Sequence, residues 1–223
     1  MVTGAVLVLL GLALIFTRGN VNGNALPTFE RNWPFAAGEL RDLRVQSDYP
    51  VEITFAESTD GSNSVHLHGQ GKPKLKDAVE RIELTGGTLD LDLREPNRQF
   101  WDVLNWIGNR PKEEIIVSLA DGSEIERLKL KLSSGSVKAY DVAVKQADIE
   151  ISSGSATIEN LTADHLNLDM KSGSIRGDVI RADTNIESSS GSIRLEHLTG
   201  PAKVCSSSGS IKIYKDDTSD LDI

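Results

Sequence analysis

The sequence is short of what most function classes need. It holds one cysteine, Cys205, in 223 residues, which excludes an internal disulfide and any multi-cysteine zinc site. Aromatic residues are only 5%, too few for a compact core built on large rings. Basic charge is scarce: the net charge is −9, and beyond residue 27 the chain carries 23 basic against 33 acidic side chains. A body this acidic is a poor prospect for non-specific nucleic-acid binding, which depends on basic surface to neutralise phosphates, so no nucleic-acid partner is expected. There is no Gly-x-Ser-x-Gly elbow, zincin motif or phosphate-binding loop, so no catalytic, cofactor-binding or metal-ligating residue is assigned, and no cofactor. With 39% apolar and 26% charged residues, the chain suits a folded soluble body and is too polar for a multi-span membrane protein.

The first 17 residues contain no charged side chain, and residues 5–16 are nearly all apolar. That length sits at the lower bound for a helix crossing a bilayer and also fits the h-region of a signal peptide. An uncleaved transmembrane anchor over 1–17 is the expectation, a cleaved signal the alternative. Arg18, the only nearby charge, gives no orientation. Residues 18–38, rich in Asn, Gly and Pro, read as a linker from anchor to body.

What the chain does have is a repeat. The motif Ser-Ser-Gly-Ser-apolar, with Lys171 replacing the first serine of one copy, places glycines at Gly135, Gly154, Gly173, Gly191 and Gly209, spaced by 19, 19, 18 and 18 residues. A looser copy stands at Thr85, Gly86, Gly87, Thr88 and Leu89. Aligned on the glycine, apolar residues alternate on both sides: Leu130, Ile149, Leu168, Ile186 and Val204 five before it, Val137, Ala156, Ile175, Ile193 and Ile211 two after. That is strand, corner, strand, each strand with one face inward. A helical period is missing, and 18–19 residues are too few for a strand-helix unit. The unit suits one rung of a single-chain parallel β-solenoid, rungs stacking about 4.8 Å apart, with right-handed coiling the default for parallel crossovers. Glycine supplies the positive φ of the corner, and flanking serines are expected to hydrogen-bond the neighbouring backbone and one another along the stack.

Upstream, residues 39–127 read as a β-rich N-terminal part of the solenoid, with strands at 43–46, 51–56, 65–68 and 115–119, turns at Asp60-Gly61 and Asp121-Gly122, and an inserted aromatic segment over 94–110. Residues 128–223 hold the regular repeats. Residues 218–223 read as the start of a further rung, leaving an edge open to edge-to-edge self-association.

Candidate binding positions lie on outward columns. Three residues after the glycine stand Lys138, Thr157, Arg176, Arg194 and Lys212, and this column could track an anionic polymer or lipid headgroups. Two residues further along stand Tyr140, Glu159, Asp178, Glu196 and Tyr214, close enough that a ladder of surface salt pairs is the competing reading. A third column, Glu150, Asp169, Glu187 and Asp222, reads as a solvated face. His66 and His68 share a strand face but lack a third ligand.

The apolar N-terminus, the β-rich segment and the rungs, carried by Leu132–Val137, Ile151–Ala156, Met170–Ile175, Ser188–Ile193 and Ser206–Ile211, resemble the bacterial "putative adhesin" domain family of unknown function, which includes LiaG-like proteins of envelope-stress operons. The resemblance implies a single-pass protein of the cell membrane with an extracytoplasmic body. It brings no catalytic residue. A non-enzymatic binding or scaffold protein of the cell envelope, with the membrane and cell-wall polymer or envelope proteins as partners, is the expectation. The alternative is a carbohydrate-active β-solenoid enzyme using surface carboxylates, which adjacent rungs bring within the span of about 5–9.5 Å that glycoside hydrolysis uses. An ice-binding array is disfavoured because outward strand positions are charged.

Overall fold

The computed structural model describes residues 26–94 and 113–223. The apolar segment 1–17 lies outside the described residues, as does the aromatic segment 94–110 apart from Arg94. Among the described residues no helix is long and apolar enough to cross a membrane.

The protein is mostly β. Among the described residues its strands are β1 (Thr28–Phe35), β2 (Asp42–Glu57), β3 (Asn63–Gln70), β4 (Thr88–Asp92), β5 (Glu113–Leu119), β6 (Glu124–Thr199), β7 (Ala202–Ser206), β8 (Gly209–Lys215) and β9 (Leu221–Asp222), with one helix, α1 (Pro73–Glu80), between β3 and β4. The long strand β6 is 76 residues of extended chain that turns through Gly135, Gly154, Gly173 and Gly191. Its first turn pairs in parallel with β2, so that Leu130 lies beside Val45 and Val137 beside Ile53. Its last turn pairs in parallel with β7 and β8, placing Ile186 beside Val204 and Gly191 beside Gly209.

Alternation along each rung decides which side chains enter the core. In the second described turn of β6, Ala147, Ile149, Ile151, Ala156, Ile158 and Leu161 are all buried. The inward phase slips at the glycine corner and at two further points, between Ala139 and Val142 and between Val144 and Ala147, so each turn has three straight runs. A single turn has no core of its own, whereas the stack buries a continuous aliphatic column in which each Leu or Ile contributes about 1.5–3 kcal/mol.

The N-terminal end is built differently from the sequence expectation, and four features there are corrections. First, residues 28–35, inside the expected linker, form β1, which pairs antiparallel with β3 and buries Phe29 and Trp33. Pro34 is tolerated because β1 is an edge strand. Second, β3 also pairs antiparallel with β5, so this end is not purely parallel. Third, β4 and β5 together lie against β2 on the side away from β6, so stacking order is not sequence order. Fourth, Thr85–Thr88 is a tight turn, its two residues exchanging 3.0 Å backbone hydrogen bonds, and not an earlier rung corner: the glycine column continues into Val51.

Helix α1 starts with proline in its first turn, where no donor is lost, and seats Leu75 and Val79, four apart, in the core. Trp33 Nε1 donates to the Ile82 carbonyl at 3.0 Å, and Arg31, stacked 5.3 Å from the Trp33 ring centre, donates to the carbonyls of Glu80 and Ile82. These bonds tie the helix end to β1.

Candidate functional site

The glycine column sets the site's geometry. Gly135, Gly154, Gly173, Gly191 and Gly209 hold φ between +135° and +150°, which side chains rarely adopt. Each also lies against the backbone of the rung before it: a Cβ on Gly154 would stand 1.7 Å from the Gly135 carbonyl oxygen, and one on Gly191 1.8 Å from that of Gly173. The column is therefore glycine for two reasons, conformation and contact between rungs. It fixes each following strand, and with it the outward residue three positions on.

That residue is Arg176, Arg194 or Lys212 in three consecutive rungs. Arg194 pairs directly with Lys212, which puts two cations on neighbouring parallel strands about 4.8 Å apart. The three line an open groove of about 420 Å³ together with Thr157, and the residues one after each glycine, Ser155, Ser174, Ser192 and Ser210, run along the same groove. Lys138, the fourth cation of the column, does not line it. Thr157 separates Lys138 from the others, and its ammonium binds Glu52 at 2.5 Å, which holds its pKa above the ordinary lysine value.

A continuous ladder of salt pairs does not form. Arg194 donates to Glu196 through Nε at 2.7 Å and also through Nη2, and this pairing raises its pKa further. Arg176 and Lys212 make no ion pair among the described residues. Asp178, the counterpart of Glu196 one rung earlier, is a methylene shorter, and its buried Oδ1 has no hydrogen-bond partner among the described residues. The serine columns also depart from expectation. Among the described residues no side-chain hydrogen bond joins Ser155, Ser174, Ser192 or Ser210 to the backbone or to one another, so the groove hydroxyls are left for solvent or ligand. The nearest serine side-chain bonds run from Ser133 to Asp48 and from Ser206 to the Ser208 carbonyl.

The acidic column before the corner is mixed in charge. Glu150 pairs with Lys131 at 2.8 Å, and these two line a smaller groove of about 120 Å³ with Asp169 and Lys171. Asp222 lies in β9, beyond it.

A second corner was missed. Six residues after the glycine stand Asp141, Asn160, Val179 and His197, all with φ of +53° to +59°. Asn160 donates to Asp141 at 2.6 Å, Arg181 donates to Asn160 at 3.0 Å, and His197 binds Asp216 at 3.0 Å, which raises the histidine pKa. Asp and Asn tolerate this conformation, so the aspartate and asparagine were a readable signal. Val179, a β-branched residue, hid it.

His66 binds Glu30 at 2.9 Å. Among the described residues no three metal-ligating side chains come together. Cys205 is a half-exposed free thiol. Among the described residues one carboxyl is pushed strongly upward: Glu113, fully buried at the start of β5, accepts from Ser47 Oγ at 2.7 Å, and its other oxygen has no hydrogen-bond partner there. Burial pushes it up to about 8, and nearby Asp48 adds to the rise. It has the pKa of a general acid but lies inside the core, away from the grooves.

The family model described as Toastrack DUF4097 matches residues 40–222. No curated protein matches. Among solved structures the chain is similar to a "putative cell adhesion protein" from Clostridium sporogenes ATCC 15579, at 9% identity, covering 85% of this chain and 100% of that one with a TM-score of 0.44. It is also similar to a "putative adhesin" from Bacteroides fragilis NCTC 9343, at 12% identity, covering 88% of this chain and 97% of that one with a TM-score of 0.33.

Proposed function

Because the chain belongs to the Toastrack DUF4097 family, we propose that it is a non-enzymatic, adhesin-like binding protein of the bacterial cell envelope. In this reading the apolar segment 1–17 holds it in the cell membrane as a single span and the solenoid body stands outside. Anionic cell-wall polymer docks on the column of Arg176, Arg194 and Lys212. The LiaG-like resemblance supports a place in the envelope-stress response. One observation carries the reading: Arg176 and Lys212 line an open groove without an ion pair among the described residues, in a protein that is acidic overall. Like charges on neighbouring strands destabilise a sheet, and a bound anion would relieve that repulsion.

The test is co-sedimentation of the full-length chain, in detergent, with purified cell wall at low and high salt, beside the double variant Arg176→Glu, Arg194→Glu. Binding that weakens about tenfold or more at high salt and is lost in the variant supports the reading. Wall binding indifferent to both salt and variant removes the column from it. Recovery of the native protein wholly in the cytosol fraction removes the envelope placement.

A further inference from the structure

Resting on that reading, we infer that the groove's ligand is an acidic polysaccharide, lying across the strands along the solenoid axis. The direction follows from the charge pattern. Across the strands, Arg176, Arg194 and Lys212 recur at the rung spacing of about 4.8 Å. Along a strand, the next outward residue after Arg194 is Glu196, about 6.6 Å away, and Asp178 stands in the same place after Arg176. A polyanion lying along one strand would meet a carboxylate at its second step, whereas one crossing the strands meets a cation at each of three.

The same pattern limits the ligand's width. The basic column is one residue wide. Glu159, Asp178 and Glu196 bound it on one side, and the hydroxyls of Ser155, Ser174, Ser192 and Ser210 run along the other. A flat anionic membrane would press on the carboxylates as well as the cations. The groove's outward side chains are cations and hydroxyls, and its isoleucines, Ile175 and Ile193, are buried, so it offers a bilayer little to insert.

Two features select a sugar among narrow polyanions. The groove repeats a hydroxyl in every rung with no side-chain hydrogen bond among the described residues, and sugar hydroxyls are matching donors and acceptors. At the last rung the acidic column is replaced by Tyr214, which is 58% exposed and stands two residues from Lys212. An exposed ring beside a cation presents a flat apolar face to a sugar ring while its neighbour holds the sugar's acid group.

The experiment titrates the full-length chain, in detergent, by calorimetry with four probes: an oligogalacturonate long enough to cross three rungs, its neutral methyl ester, inorganic polyphosphate, and nanodiscs of phosphatidylglycerol. Oligogalacturonate is expected to bind at low salt, with the ester about tenfold or more weaker. Tyr214→Ala should weaken oligogalacturonate about three- to tenfold and leave polyphosphate unchanged. Arg176→Glu with Arg194→Glu should abolish both. All three side chains are exposed, and unchanged melting curves verify that the variants fold. If polyphosphate or nanodiscs bind more tightly than oligogalacturonate, or Tyr214→Ala changes nothing, the sugar assignment is overturned while the basic column stands. If no probe binds, the assignment is overturned as well, and the wall-binding test alone then decides the column.

Discussion

The two ends of the stack solve the same problem by different means. In the turns of β6 to β8 one backbone contact, glycine on glycine, recurs from rung to rung, with aliphatic side chains filling the column and polar ties such as Asn160 to Asp141 added outside it. At the N-terminal end the ties are individual side chains. Arg127 grips Asp42 with two hydrogen bonds of 2.6 and 2.8 Å, which holds that carboxyl below its ordinary range, Ser47 binds Glu113, and Trp33 binds Ile82. All the buried aromatics among the described residues, Phe29, Trp33, Tyr49 and Phe55, lie in β1 and β2. A repeated unit meets a copy of itself and needs only one contact that works every time. An end meets something unlike itself, and each of its contacts is separate.

The contrast breaks most sharply at a corner glycine. Gly154→Ala should destabilise by more than about 4 kcal/mol or abolish folding, because its Cβ meets a backbone oxygen that cannot move without parting the rungs. Gly61→Ala, at φ +75° with nothing within 4 Å, should cost about 1–2 kcal/mol. Urea unfolding of the pair measures the difference, and equal losses would remove the close approach as the reason for the column.

The next effect belongs to the N-terminal end. Glu113 is pushed up to about 8 in the fold, whereas its unfolded value is near 4.5. Below pH 4.5 both states are protonated and stability is whole. As pH rises from 4.5 to 8 the unfolded chain ionises while the fold holds its proton, so stability falls by up to about 4–5 kcal/mol and levels off above 8. Glu113→Gln should remove this part of the slope in unfolding measured between pH 5 and 8. An unchanged slope would place its origin elsewhere.

The smallest effect sharpens the comparison inside the rungs. Val179 holds φ +53° where other rungs have Asp141 and Asn160. A β-branched residue is strained there, so Val179→Asn should stabilise by about 1 kcal/mol, read as a higher urea midpoint. A lower midpoint would show that the packing of the valine outweighs its backbone strain.

The repeating half of the molecule was readable because five glycines align and the columns beside them alternate. The N-terminal end was not, for physical reasons. β1 carries Asn32 and Pro34, which read as linker, and its pairing partner β3 lies some thirty-five residues away, as its register shows. β4 and β5 join β2 without sharing the repeat, so no periodic signal marks their place. For the candidate site, the columns were visible but their pairing was not: a carboxylate and a cation two residues apart share a face in either case, yet Glu196 meets Arg194 while Asp178 does not meet Arg176.

The glycine column also acts as a counter. From Gly154 onward each corner glycine meets the carbonyl group of the one before, so a rung does not register which rung it is. Excision of residues 155–173 would join Gly154 to Ser174 and rebuild the same contacts, with Arg176, Arg194 and Lys212 intact, whereas removal of any fraction of a turn would set side chains against the column. A lineage built this way can change its reach only in whole turns, and the number of ligand units it spans would change in the same integers.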